Sequence, residues 1–415
     1  VSTLAQLCCL RGQAYATLDK ATRAVVWLRA ALAVDVHCVT ALHMLLGWHL
    51  MPPAAAEEMV AQLPFRLPAD CWLLALYHAT IIQAWGPGGG GTWHTGTSKG
   101  RSRGAAWVGL AGNADVLAAR ADHLYQHGDL AGALHLCRRV LRVDPEHAGC
   151  VPVYVATLAA QGLRGDLYYV AHQLVQARPK SAAAWHAVGS YYHCLERHEL
   201  AARFFAKATK LEPRFVPAWV AWGNALSAQD ESDQALSAYR TAARLFPGTH
   251  VPLLHMGMEY QRSNNLALAE HFLHAAQALC RSDPLVHNEL GVLSFRQGNW
   301  QLAADRFNAA LAMRRRLATW TTTRVNLGHC YRKLGRLAEA EREYRSAAMV
   351  SPGDAGTHAA LGMALHMQGP SRLQEAIEQY HRALALRPDD TFAADMLAKA
   401  LKEAVSLPDA PEPAG

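Results

Sequence analysis

Three groups of residues have the types from which a reaction centre could be built. Gly91-Thr-Trp-His-Thr-Gly96 has the glycine spacing of a phosphate loop, whose backbone amides would cradle a nucleotide. Such a loop continues with Lys and Ser/Thr, whereas Thr97 and Ser98 follow here, and no strand pattern precedes it. His193 and His198 flank Glu196, but this is not H-E-x-x-H, and no C-x2-C pair supports a zinc cage. Cys8, Cys9, Cys38, Cys71, Cys137, Cys150, Cys194, Cys280 and Cys330 are irregularly spaced, which reads as reduced, mostly buried thiols of an intracellular protein. No G-x-S-x-G elbow occurs either. The expectation is a non-catalytic chain with no cofactor and no metal.

Composition narrows the class further. The hydrophobic fraction of 51% against 18% charge excludes a largely disordered chain. The net charge of +6 is modest for 415 residues, and its basic groups are scattered. Arg314, Arg315 and Arg316 form the one tight run, read as a solvated helix end, so no nucleic acid is expected. No uninterrupted apolar stretch reaches the length of a membrane span, so no membrane association is expected. The chain begins at Val1 without a methionine, which reads as a removed residue or a fragment.

What the sequence does contain is a repeat. Trp185, Val188, Gly189, Tyr192, Ala201, Phe205, Ala208 and Pro213 recur 34 residues later as Trp219, Trp222, Gly223, Leu226, Ala235, Tyr239, Ala242 and Pro247. That is the tetratricopeptide signature, W-x2-L-G-x2-Y…A-x3-F…P, with its own period. Pro145 and Pro179 extend the frame upstream; Gly257, Gly291, Gly328 and Gly362 carry it downstream. An insertion of about three residues near Ala318 resets the phase, and two extra residues near Pro370 lengthen one turn. The fold class is therefore all-α: a tetratricopeptide-repeat superhelix of antiparallel helix hairpins with a C-terminal capping helix. Trp185, Trp219 and Trp222 fall on signature positions and read as core rather than as a base-stacking platform. Many histidines, including His186, His255, His329 and His366, read as fillers of half-buried helix surface.

The pattern divides the chain into N-terminal repeats over 1–85 and a Gly-rich flexible insertion over 86–113. The main array then spans 114–388, followed by a capping helix over 389–407 and a disordered tail over 408–415. Pro52-Pro53 and the Pro64–Pro68 segment disturb the first part, and 71–85 is a further apolar helix.

Stacked hairpins present one face of each first helix to a concave wall. Positions 2, 5, 6, 9, 12 and 13 of those helices tend to point there. They include Asn224, His255, Met258, Arg262, Asn288, Glu289, Arg296, Asn326, His329, Arg332 and Lys333. Amides, bases, one acid and a methionine suit an extended or helical peptide, with backbone groups held by Asn224, Asn288 and Asn326. A clamp for carboxyl-terminal chaperone tails is absent, because its key positions hold Val220, His255, Leu285 and Glu289.

Several runs resemble the subunit 6 family of the anaphase-promoting complex, also called the cell division cycle protein 16 family. They include Trp185–Tyr192, Ala206–Glu212, Pro217–Gly223, Asp233-Gln-Ala235 and Gly257–Tyr260 with Asn264-Asn265. Asn264-Asn265, Asn326–Leu334 and Asp389-Asp-Thr-Phe392 are the more specific matches. The likeness thins over 52–113. The resemblance implies a scaffold of a cullin–RING ubiquitin ligase in nucleus and cytoplasm, acting in the cell cycle. It also implies a homodimer through the N-terminal repeats, stacking on other tetratricopeptide-repeat subunits, and a groove around the N-terminus of a small subunit. Glu289 and Asn326 lead the groove residues so implied. Two features depart from the family pattern: the Gly-rich insertion and a short loop between Met313 and Trp320. The rival readings are another repeat adaptor, such as a sister subunit or a ciliary transport component, and a repeat-bearing glycosyltransferase, for which no nucleotide-sugar domain is visible.

Overall fold

Each copy of the repeat becomes a helix pair because it carries its own start, turn and stop. The computed structural model describes residues 2–66, 69–85, 112–126, 128–281, 283–313 and 320–406. The Gly-rich segment over 86–111, the Arg314–Arg316 run, the insertion near Ala318 and the tail after Ser406 lie outside the described residues.

The first helices are α1 (Thr3–Thr17), α2 (Ala21–Val34), α3 (Val39–Gly47), α4 (Pro53–Gln62) and α5 (Cys71–Trp85). Regular pairs follow. They are α6 (Ala114–Gln126) with α7 (Leu130–Val143), α8 (Cys150–Ala160) with α9 (Arg164–Ala177), and α10 (Ala182–Cys194) with α11 (His198–Leu211). Next come α12 (Val216–Ser227) with α13 (Ser232–Leu245), α14 (Val251–Arg262) with α15 (Leu266–Leu279), and α16 (Pro284–Arg296) with α17 (Trp300–Met313). The last are α18 (Thr321–Lys333) with α19 (Leu337–Val350), α20 (Ala355–Met367) with α21 (Leu373–Leu386), and the single α22 (Thr391–Ser406). Among the described residues all regular structure is helical, and no helix is long and apolar enough to cross a membrane.

Starts are marked by Pro217 and Pro252 in the first turns of α12 and α14, where a missing amide hydrogen costs nothing. Elsewhere Asp129, Asn265 and Asp354 cap with their side chains. The turn inside a hairpin passes through left-handed backbone, at Asp19, Asp230 and Asn264 and at several glycines. Short polar side chains tolerate that conformation better than others do.

The two helices of a pair are drawn together at one glycine. A Cβ added to Gly223 would lie 2.2 Å from Cε1 of Tyr239, and one added to Gly328 would lie 2.5 Å from Cε1 of Tyr344. Gly189 against Phe205, Gly291 against Phe307 and Gly362 against Tyr380 repeat the arrangement. Those aromatic rings are almost wholly buried.

A second device joins each repeat to the one before. The indole nitrogen of Trp185 donates to the Pro179 carbonyl (2.7 Å), and that of Trp219 to the Pro213 carbonyl (3.0 Å). His358 takes the same role towards Pro352 (3.1 Å). The signature proline, having ended one helix, thus leaves a carbonyl for the aromatic residue that opens the next hairpin. Both tryptophans are half-buried, and Lys207 Nζ lies 3.2 Å from the Trp185 ring centroid. All nine cysteines are free thiols, buried except for the half-buried Cys71 and Cys194.

Packing divides the chain into two compact units, Val1–Asp283 and Pro284–Gly415. In the first, Leu28, Leu42, Leu45, Leu46 and Tyr77 build one core and Cys137, Cys150, Val155, Leu158 and Leu167 another. Within this unit the opening hairpins also meet residues far along the chain: Arg244 Nη1 donates to Asp19 (2.7 Å), and the Gly248 amide to the His49 carbonyl (2.7 Å). In the second unit Tyr344, Leu365, Ile377 and Tyr380 form the core against α22, which contributes Ala400. Leu401 and Val405, on the other side of α22, are exposed.

Two glycine substitutions test the close approach. A helical Gly→Ala change normally stabilises by up to about 1 kcal/mol. Gly165→Ala, with open space around it in α9, should do so. Gly223→Ala should instead destabilise by about 1–3 kcal/mol through overpacking against Tyr239. Urea unfolding midpoints that move the same way for both would refute the account.

Candidate functional site

The wall residues are carried by the first helices of four successive pairs, and each unit holds its own share. In the first unit α12 supplies Asn224, while α14 supplies His255, Met258 and Arg262. In the second, α16 supplies Asn288, Glu289 and Arg296, and α18 supplies Asn326, His329, Arg332 and Lys333.

Several of these side chains are fixed from behind by the second helix of their own pair. The Tyr239 hydroxyl donates to Asn224 Oδ1 (2.7 Å), leaving the Asn224 amide group turned to other partners. His255, on the first helix of the next pair, stacks on the same Tyr239 ring, with centroids 5.4 Å apart and planes 14° from parallel. In the second unit His329 Nδ1 shares a 2.7 Å hydrogen bond with the Tyr344 hydroxyl. Burial holds both imidazoles neutral: His255 and His329 are pushed down to about 4 from an ordinary 6.5. The nearby charge of Arg332 adds to the effect at His329.

Arg262 is held by its own chain. Its guanidinium bonds Glu259 (2.7 and 3.1 Å), Asp230 (2.7 Å) and Ser232 (2.9 Å). Glu259 itself is 3% exposed and also accepts from Ser227 (2.7 Å). Burial would raise the Glu259 carboxyl, but bonds from Ser232, Ser227 and Arg262 outweigh it, and the group lies below its usual range. Glu259 thus ties α14 to α12, a residue the periodicity passed over. A buried acid in the Gly257-Met-Glu-Tyr260 run, with an arginine three residues on, was the available signal.

Glu289 behaves differently. Burial raises its carboxyl, opposed by a 2.9 Å bond from Asn288 Nδ2 and by the charge of Arg296. Asn288 is in turn set by Thr323, whose hydroxyl donates to Asn288 Oδ1 (2.7 Å). The relay Thr323–Asn288–Glu289 orients a half-buried carboxylate, an acceptor matched to backbone amides or a cationic group. Beside it on α18, Asn326 and His329 line a small pocket of about 50 Å³ with Val292, Phe295 and Phe307. An apolar floor with a polar edge suits one small side chain of a bound peptide. Met258 and Arg332 are half-buried on their helices; Arg296 and Lys333 are exposed, with Lys333 Nζ 5.8 Å from the Trp300 ring centroid.

The other chemistry read from sequence is also placed. His193 and His198 bring their Nδ1 atoms to 3.3 Å in a mutual hydrogen bond. Among the described residues no cluster of three or more His, Cys, Asp or Glu could hold a metal ion. The phosphate-loop-like glycines lie outside the described residues.

Helix pairs with a small-residue approach, a proline stop and a polar wall define a tetratricopeptide-repeat protein. Sequence profiles of the tetratricopeptide repeat match residues 5–35, 182–215, 282–348 and 325–391. The chain belongs to the family of anaphase-promoting complex subunit 6, or cell division cycle protein 16. It is 37% identical to anaphase-promoting complex subunit 6 of Arabidopsis thaliana over 96% of this chain and 74% of that protein. It is 33% identical to the human cell division cycle protein 16 homolog over 95% of this chain and 63% of that one. The chain therefore spans less than two thirds of the human relative. In structure it is similar to a subunit in the crystal structure of the anaphase-promoting complex hetero-tetramer Cut9-Hcn1 (TM-score 0.78, 32% identity). That match covers 96% of this chain and 76% of the other.

The phenols behind the wall make a paired test. Tyr344→Phe leaves a buried His329 nitrogen without its partner and should cost about 1–3 kcal/mol. Tyr380 occupies the same place in its own pair, but Met363 stands at the matching wall position and the Tyr380 hydroxyl is buried without a hydrogen-bond partner. Tyr380→Phe should be neutral or stabilising by comparison. Equal losses in chemical denaturation would sink this reading of the wall.

Acid sensitivity follows from the buried imidazoles. His49, His186, His255 and His329 are each held at about 4 chiefly by burial. Their contribution is present above the unfolded value of about 6.5 and is lost as pH falls from there towards 4. His147, raised by its bond to Asp115, works in the opposite sense. The urea midpoint should fall between pH 7.5 and 5, and His186→Leu should flatten that fall; an unchanged slope would remove His186 from the explanation.

Proposed function

We propose that the chain is a non-catalytic scaffold subunit of the anaphase-promoting complex, a ubiquitin ligase, and that it works by presenting repeat surfaces to other polypeptides. The observation that carries the reading is identity of 33–37% to named subunit 6 and cell division cycle 16 proteins along 95–96% of the chain. The name of the hetero-tetramer whose subunit it resembles supports a role in assembly with a second kind of chain.

In this reading the wall holds the N-terminus of a small subunit. Glu289 and Asn326 supply polar anchors, and the pocket of Val292, Phe295 and Phe307 takes an apolar side chain. The wall residues of the first unit, from Asn224 to Arg262, extend the same surface type on their own helices. Self-association is assigned to the N-terminal repeats. Leu4, Leu7 and Leu10 stand exposed at 56–63% along α1, a spacing that lines one helix face and fits a covered apolar stripe. Other faces of the repeats stack on tetratricopeptide-repeat subunits of the complex, in nucleus and cytoplasm. No reaction is assigned to the chain.

One experiment tests the assignment and the wall together. Expressed with an affinity tag in cells, the chain should recover cullin, RING and repeat subunits at stoichiometric yield. The Glu289→Ala/Asn326→Ala variant should keep its helicity and those large subunits but lose the small one by at least about tenfold. Recovery of none of the large subunits would reject the scaffold reading. Full retention of the small subunit by the double variant would move its site elsewhere.

A further inference from the structure

The most unusual contact in the first unit joins segments almost 200 residues apart. Arg214, in the link between α11 and α12, has a side chain only 17% exposed. Its guanidinium donates to the carbonyl of Leu245 at the end of α13 (3.1 Å) and to the carbonyl of Ala16 at the end of α1. One planar fork therefore bonds carbonyls at two helix C-termini and sits at the negative end of both dipoles. Asp19 approaches the same guanidinium at 3.5 Å and also accepts from Arg244 at 2.7 Å. The Trp48 ring lies 5.4 Å from it.

The second half of this contact uses backbone. The Gly248 amide donates to the His49 carbonyl (2.7 Å), and a Cβ on Gly248 would meet the Met51 carbonyl oxygen at 2.1 Å. Only glycine permits that approach. His49 itself sits at a positive φ of 45°, so the α3–α4 link is shaped to present these carbonyls.

Arg214 lies in the short link just before α12, which starts at Val216, and Gly248 in the one before α14, which starts at Val251. Those are the two helices that carry Asn224, His255, Met258 and Arg262. We propose that Arg214 and Gly248 form a clasp through which the opening hairpins, residues 3–51, fix the N-terminal ends of α12 and α14. Loosening the hairpins then loosens the wall, and the reverse holds by the reciprocity of linkage. A change at the N-terminal end of the chain is thereby passed to helices nearly 200 residues away without altering any wall side chain. This coupling goes beyond the scaffold reading and stands whether or not the wall holds a peptide.

Amide hydrogen exchange on the full chain reads the clasp directly. Arg214→Ala should speed exchange by about tenfold or more both in residues 3–47 and in 216–262, because a hydrogen-bonded buried charge is lost from both partners. Exchange in 130–177 and 321–406 should stay as it was. Arg214→Lys keeps the charge but not the fork, so it should resemble the alanine variant. Gly248→Ala attacks the clasp from its other half and should give the same two-segment pattern. Asp19→Asn should give a weaker form of it, which secures the measurement if Arg214→Ala does not fold. Arg203→Ala, on the exposed side of α11, should leave all segments unchanged. Exchange raised only beside the substituted residue, or raised evenly through 130–177 as well, would overturn the coupling.

Discussion

The repeat depends on one short-range constraint: an aromatic ring of the second helix lies where a Cβ of the first would be. Gly223 and Tyr239 leave 2.2 Å between a hypothetical Cβ and the ring, and Gly328 with Tyr344 leaves 2.5 Å. Because the ring is pressed this far into the pair, its hydroxyl reaches the residue that follows the glycine. A tyrosine there can bond a wall residue, as Tyr239 does with Asn224 and Tyr344 with His329. The same contact thus sets how closely the helices approach and how stiffly the wall is held. Phe205 and Phe307 give the close approach alone, since they have no hydroxyl to offer.

The hairpins were legible in the sequence for the same reason. Gly, Ala and aromatic residues at fixed spacing are what close approach demands, so the signature and the geometry are one constraint seen twice. The pairs from α10 to α21 follow it, with Leu273 in place of the ring against Gly257. The first third was harder to read because Pro52-Pro53 leaves α3 and α4 short, at 9 and 10 residues. There the packing runs through large aliphatic side chains such as Leu42, Leu45 and Leu46, which carry no positional signature.

The helices that carry the wall residues were legible in the sequence; the bonds their side chains make were not. Periodicity places Arg262, Asn288 and Glu289 on one face of their helices, yet it is blind to what lies on neighbouring repeats. Arg262 proves to be bound by Glu259, Asp230 and Ser232, and Asn288 by Thr323. Apart from the Glu259 pair, three residues away on the same helix, these bonds link residues about one repeat apart, between side chains whose identities the signature leaves free. For the same reason Arg214 gave no signal. It follows a signature proline and looks like any exposed link residue until the chain has returned beside it.

These bonds divide the wall's cationic and polar groups into two kinds. A side chain already bonded within its own unit, such as Arg262, can meet a ligand only by giving up charge-assisted bonds, of which the one to buried Glu259 matters more than the solvent-screened one to Asp230. It therefore serves the wall mainly by holding α12 and α14 in place. At Glu289 burial is the larger influence. It raises the carboxyl, against the bond from Asn288 and the charge of Arg296. Hydrogen-bond donors or positive charge brought beside a half-buried carboxylate favour its charged form, and a second carboxylate disfavours it. The two side chains thus differ in what governs them: bonds to three residues fix Arg262, whereas burial dominates at Glu289.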